Sequence, residues 1–158
     1  MPGRPPLRST AAVVLAAVVV LLAGCSQGAV KVSPPAPTGS VAEQCAHLGN
    51  LLPQRIESLR PRVISPRSPL VHAWGNPAVV LTCGVVKPAG YSAATAQLAD
   101  VNGVSWFEQQ QGNQVVWTTL RPAESGPTVN VQLVVPTHYQ AQGAFLVDFA
   151  QPLKTALP

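Results

Sequence analysis

A chain of 158 residues, 47% apolar and only 10% charged, has the size of one compact domain and lacks the highly charged composition that keeps chains disordered. Its formal charge of +4 rests partly on Arg4 and Arg8; without them eight basic residues face six acids. With Arg55, Arg60, Arg62 and Arg67 not interleaved with aromatics, the balance argues for a solvated basic surface and against a nucleic-acid partner, which would need a clustered face that displaces phosphate counterions.

Residues 1–10 hold two arginines and no acid, and residues 11–22 (AAVVLAAVVVLL) are an unbroken apolar run, the charged and apolar regions of a signal peptide. A membrane-crossing helix needs about 20 apolar residues, so this run is too short to span. Leu22-Ala23-Gly24-Cys25 follows at once. It resembles the bacterial lipobox, in which a diacylglyceryl group is added to the cysteine before cleavage makes that cysteine the new N-terminus. Residues 1–24 are therefore read as a lipoprotein signal peptide and Cys25 as the lipidated residue, membrane-anchored on the extracytoplasmic face. An ordinary secretory leader cut near Ala23 is the competing reading. Two acyl chains make a stable anchor, because burial contributes about 0.8 kcal/mol per CH₂ and one short chain holds a protein only reversibly. Residues 25–40 include a small, Pro-rich stretch, SQGAVKVSPPAPTGS. It reads as an extended tether that holds the domain away from the lipid.

Residues 41–158 read as a single α+β domain. Val41, Cys45, Leu48, Leu52, Ile56 and Leu59 recur at helical spacing over 41–60, with Ser40 as N-cap. Pro53 predicts a kink there or two short helices. Pro61, Pro66 and Pro69 lead into a loop, and Trp74-Gly75-Asn76-Pro77 reads as a tight turn feeding a central strand over 78–86. Further strands are expected over 97–101, 104–109, 114–120 and 128–135, the first pair joined at Asn102-Gly103 and the next at Gly112-Asn113. Thr137 and Gln140 have capping-box spacing at the start of a last helix carrying Ala141, Phe145, Phe149 and Leu153, which Pro152 ends or kinks. The expectation is an antiparallel sheet of four to five strands flanked by an N-terminal and a C-terminal helix.

Once Cys25 is lipidated, Cys45 and Cys83 remain as an even pair in an oxidising compartment, and their disulfide is the simplest reading. The rival is a zinc site of Cys45, His47, His72 and Cys83, whose spacings match no usual finger; no metal or cofactor is expected. No nucleophile elbow, phosphate loop or dinucleotide fingerprint appears, and no local pattern gathers His47, His72, His138 or the six acids into a catalytic group. The expectation is not an enzyme. Trp74, Trp106 and Trp117 are the candidate binding surface, weighed against plain core packing, and Trp106 and Trp117 are expected to approach each other across their hairpin.

Cys45 with Leu48 and Leu52-Pro53, then Trp74-Gly75-x-Pro77, Leu81-x-Cys83-Gly84-Val85, Val101-Asn102-Gly103-Val104-x-Trp106, Trp117-Thr118-Thr119, Arg121 and the valine strand ending in Pro136 together resemble the actinobacterial membrane-anchored proteins of domain-of-unknown-function family 3515. The resemblance covers about residues 41–155 and implies an envelope protein held at the membrane. It brings no activity, cofactor or catalytic residue. The leading expectation is a non-enzymatic binding or adaptor lipoprotein, its partner an envelope protein or a cell-wall component. A carrier of a small apolar ligand or lipid, with a pocket lined by Trp106, Trp117 and Phe145, is the alternative, and a cell-wall-remodelling enzyme the third.

Overall fold

The computed structural model describes residues 27–120 and 128–157; the leader and Cys25 lie outside them. Helix α1 spans Gly39–Leu51, with Thr38 as its N-cap, so Ser40 falls inside the helix. It buries Cys45 and Leu48 and stops at once before the proline: Leu52 is extended (φ −64°, ψ 142°), because a proline ring crowds the residue before it out of helical geometry. The expected kinked or double helix is thus one helix. Ile56 and Leu59 leave the helical pattern and pair as an isolated antiparallel bridge, the Leu59 N–H donating to the Ile56 carbonyl (2.8 Å).

Six strands form the main sheet: β3 (Val71–Trp74), β4 (Val79–Val85), β5 (Leu98–Val101), β6 (Val104–Gln111), β7 (Gln114–Thr119) and β8 (Asn130–Pro136). They lie in the order β3-β4-β8-β7-β6-β5, and every neighbouring pair is antiparallel. The count exceeds the expected four to five because β3, four residues set among Pro66, Pro69 and Pro77, is a strand and not a loop. The expected strand at 78–86 is interior but second from the edge; β8 and β7 hold the middle. The turn signals hold: Asn102 and Gly103 both have positive φ (54° and 81°) between Val101 and Val104, and Gly112 (58°) opens the β6–β7 turn, as two-residue hairpin turns require.

Inward residues of β4, β6, β7 and β8, among them Leu81, Trp106, Val131, Leu133 and Val135, meet Leu48 of α1 and, from the C-terminal segment, Leu146, Phe149 and Leu153 in one core. The Cys45–Cys83 disulfide ties α1 to β4. Just beyond it the β4–β8 register shifts between Cys83 and Val85. Gly84 has φ 84° there, and a Cβ would stand 2.8 Å from the Pro37 ring. Glycine is needed twice over, for the bulge and for the close approach.

The capping box does not form. Thr137 instead donates through both its N–H and its hydroxyl to the Asn113 carbonyl (2.9 and 3.0 Å), tying the end of β8 to the β6–β7 turn. A 3₁₀ helix (Gln142–Leu146) follows and runs into α2 (Val147–Ala156), which contains Pro152 without ending there.

The largest departure concerns the tether. Val30–Lys31 form β1, paired in parallel with β2 (Ile64–Ser65). The Val30 and Val32 N–H groups donate to the Val63 and Ser65 carbonyls (2.8 and 3.1 Å), and Arg62 Nη2 donates to the Gly28 carbonyl (2.8 Å). The stretch expected to hang free is laid on the domain from Gly28 onward. Its small residues let it satisfy the backbone edge of the 63–65 segment, whose polar groups need partners wherever water is excluded.

Candidate binding groove at the free edge of the sheet

Strand β3 is an edge, and only part of that edge is covered. Pro61 bridges Trp74, the Arg62 N–H donates to the Ala73 carbonyl (2.8 Å), and the Gly75 N–H donates to the Arg60 carbonyl (2.9 Å). Beyond Arg62 the chain turns away to pair with β1. The Cys83 N–H donates to the Leu70 carbonyl (2.9 Å), which fixes the alternation: residues 70, 72 and 74 exchange bonds with β4, while the backbone of Val71 and Ala73 faces away from it. Among the described residues, the N–H and C=O of Val71 and the N–H of Ala73 have no backbone partner.

These groups edge a hollow of about 570 Å³ between the end of α1 (Leu52–Gln54), the 62–69 segment and β3. Its wall is set by His72, whose ring lies nearly parallel to Trp74 (centroids 6.2 Å apart, planes at 28°) with Nε2 3.2 Å from the Pro69 carbonyl. Burial lowers the His72 pKa from its ordinary value, against a smaller opposing effect of the Pro69 carbonyl, so the imidazole is neutral near pH 7. Gly49 lets α1 come this close, since a Cβ there would stand 2.9 Å from both His72 Nε2 and the Pro69 oxygen. Trp74 Nε1 donates to the Pro53 carbonyl (3.3 Å), fixing the turn that ends α1.

The charge of the groove has one sign. No aspartate or glutamate lines it, while Arg62 and Arg67 do. Arg62 is committed, donating through Nη1 to Gly75 O (2.6 Å) and through Nη2 to Gly28 O (2.8 Å). Arg67 is exposed on the rim. Val71 and Ala73 are only 2% and 3% exposed, so these two donors and one acceptor lie at the floor of the hollow, beneath a rim guanidinium.

The indoles expected to form a surface are in the core. Trp74, Trp106 and Trp117 are 2%, 0% and 7% exposed, and of the three Trp74 alone lines the groove. Trp106 faces Thr119 and Trp117 faces Glu108, which places the two indoles diagonally on one face. The pocket expected for a carrier is filled, because Trp106, Trp117 and Phe145 belong to the packed core. The zinc alternative loses its ligands, since Cys45 and Cys83 bond to each other. What the residue-level reading missed is the groove itself: its functional groups are main-chain atoms of a strand taken for a loop.

The fold and groove define a small disulfide-stapled α+β domain whose edge strand β3 is only partly paired along its outer side, and among the described residues no helix is long and apolar enough to cross a membrane. The chain belongs to the family described as Protein of unknown function (DUF3515), whose model matches residues 8–158, the family that the Cys45-to-Pro136 motifs resemble. No curated protein and no solved structure matches the chain.

Proposed function

We propose that this is an exported, lipid-anchored cell-envelope protein without catalytic activity, whose groove beside β3 binds a short extended peptide segment bearing a carboxylate. The observation that carries the binding reading is the set of unpaired backbone groups of Val71 and Ala73 inside an acid-free hollow with Arg67 at its rim. Peptides add to open sheet edges by main-chain hydrogen bonds, with flanking pockets giving specificity. The stretch here is not an open edge: it lies at the floor of the hollow, with Val71 and Ala73 2% and 3% exposed, and is closed at one end by the Arg62–Ala73 bond, so it suits the end of a chain that enters the hollow rather than a long strand. A volume near 570 Å³ falls in the usual range for small-ligand sites, about 300–1,000 Å³. The anchoring reading is supported by the leader, by Leu22-Ala23-Gly24-Cys25 and by a disulfide suited to an oxidising compartment.

Two measurements test the two halves. With Cys25→Ala the protein is expected in the soluble rather than the membrane fraction of its host; full retention in membranes refutes the anchor. For the groove, short peptides with a free C-terminal carboxylate, and the same peptides amidated, are titrated into the folded protein and followed by amide chemical shifts. The Val71, His72 and Ala73 amides are expected to move. Amidation of the peptide or Arg67→Ala is expected to weaken binding about tenfold, as loss of a charge-assisted hydrogen bond does. Shifts centred elsewhere, or affinity indifferent to both changes, would remove the groove as the site.

A further inference from the structure

We infer that the face formed by residues 28–31 and 60–63 lies against anionic lipid headgroups, so that the docked N-terminal segment orients the whole domain on the membrane. This rests on the anchoring reading above and goes beyond it, since an anchor on a free tether would leave the domain unoriented.

Two residues, Ser26 and Gln27, separate Cys25 from Gly28, and three steps of extended chain reach at most about 11 Å. Gly28 is held by the Arg62 guanidinium, and Val30 by the Val63 carbonyl (both 2.8 Å). A lipid on Cys25 is therefore kept within about 11 Å of this one face. The face has the composition such a position calls for. Lys31 and Arg60 are exposed, Arg62 is half-buried, and Val63 is 63% exposed although apolar. An open hollow of about 650 Å³ beside them is lined by Gln27, Ser58, Arg60, Arg62 and Asn76 among others, with no acid. The nearest acid in sequence is Glu57, whose backbone N–H donates to the Asp148 carboxylate (2.8 Å); neither acid lines the hollow.

The negative potential of an anionic leaflet falls off within a Debye length, about 8–10 Å, so basic groups act only when held that near. A two-residue spacer holds them there, whereas the free tether expected from the Pro-rich composition would not. An exposed valine between such cations suits the boundary between headgroups and acyl chains. Arg62 and Val63 line both this hollow and the groove. The groove thus opens along the membrane surface, within reach of partners held there.

The test uses the full lipidated protein in nanodiscs of mixed phosphatidylglycerol and phosphatidylcholine carrying a paramagnetic headgroup, with amide relaxation as the readout. Amides of 28–31 and 60–63 are expected to relax several-fold faster than those of the Asn102-Gly103 turn at the opposite edge of the sheet. Each basic residue near the surface adds roughly a fivefold preference, so Lys31→Gln with Arg60→Gln lowers the orientational preference about 25-fold and brings the 60–63 amides down toward the level of the turn, while 28–31 stay faster because the anchor alone holds them near the surface. Phosphatidylcholine alone should do the same. Equal relaxation at both edges in anionic discs, with the acyl mass present on Cys25, overturns the orientation and leaves the anchor standing. A chain whose Cys25 carries no acyl mass overturns both.

Discussion

Replacing Cys45 and Cys83 together by alanine is expected to lower the unfolding free energy by about 4 kcal/mol. The bond joins residues 38 apart, and cutting it restores to the unfolded chain the loop-closure entropy the crosslink removes. Domains of this size are stable by only about 5–15 kcal/mol, so the loss is a large share of what holds the fold. Alanine is the informative replacement: both sulfurs are buried, and serine would add unpaired buried hydroxyls, each costing about 1–3 kcal/mol of its own. Urea unfolding of the oxidised wild type, the reduced wild type and the double alanine variant separates the effects, with the last two expected to fall close together. A loss under about 1 kcal/mol would mean that packing alone holds α1 on the sheet. The same change should loosen the groove, because α1 ends in the Leu52–Gln54 wall that the Trp74 indole fixes through the Pro53 carbonyl.

Local rules that act within a few residues were legible. The alternation of Val129, Val131, Leu133 and Val135 locates β8, the glycines after Asn102 and before Asn113 locate two hairpins, and the even cysteine count locates the staple. One failure is local: Leu52 has helical spacing, but its neighbour Pro53 acts on it first. The others depend on a partner distant in sequence. Thr137 has capping-box spacing, yet its hydrogen bonds go to Asn113, a residue that only the folded sheet brings near. The 28–32 segment looks like linker because nothing in its composition announces the 63–65 edge that receives it. The groove was the least legible feature. Its polar groups are main-chain atoms left open where the 61–63 segment parts from β3, and main-chain atoms carry no sequence signature. The tryptophans stand out in the sequence as large rings, and what they contribute is burial of their apolar area in the core.

Trp106 offers the second large effect. Its side chain is fully buried between the sheet and the C-terminal helix layer, so Trp106→Ala should cost about 3–5 kcal/mol, the usual range for emptying such a site. Trp106→Phe should cost far less, for a specific reason. Among the described residues the Trp106 indole N–H has no hydrogen-bond partner, and an unsatisfied buried donor carries a penalty of about 1–3 kcal/mol. Phenylalanine removes that donor while keeping most of the ring, which offsets part of the lost packing. Trp74 is the control, because its N–H does have an acceptor, the Pro53 carbonyl. Trp74→Phe should therefore lose a bond as well as volume, and should also move the groove amides, which Trp106→Phe should leave in place. Urea unfolding and amide shifts of the two phenylalanine variants settle the comparison. If Trp106→Phe destabilises as much as Trp74→Phe, ring volume rather than the polarity of the indole governs both sites.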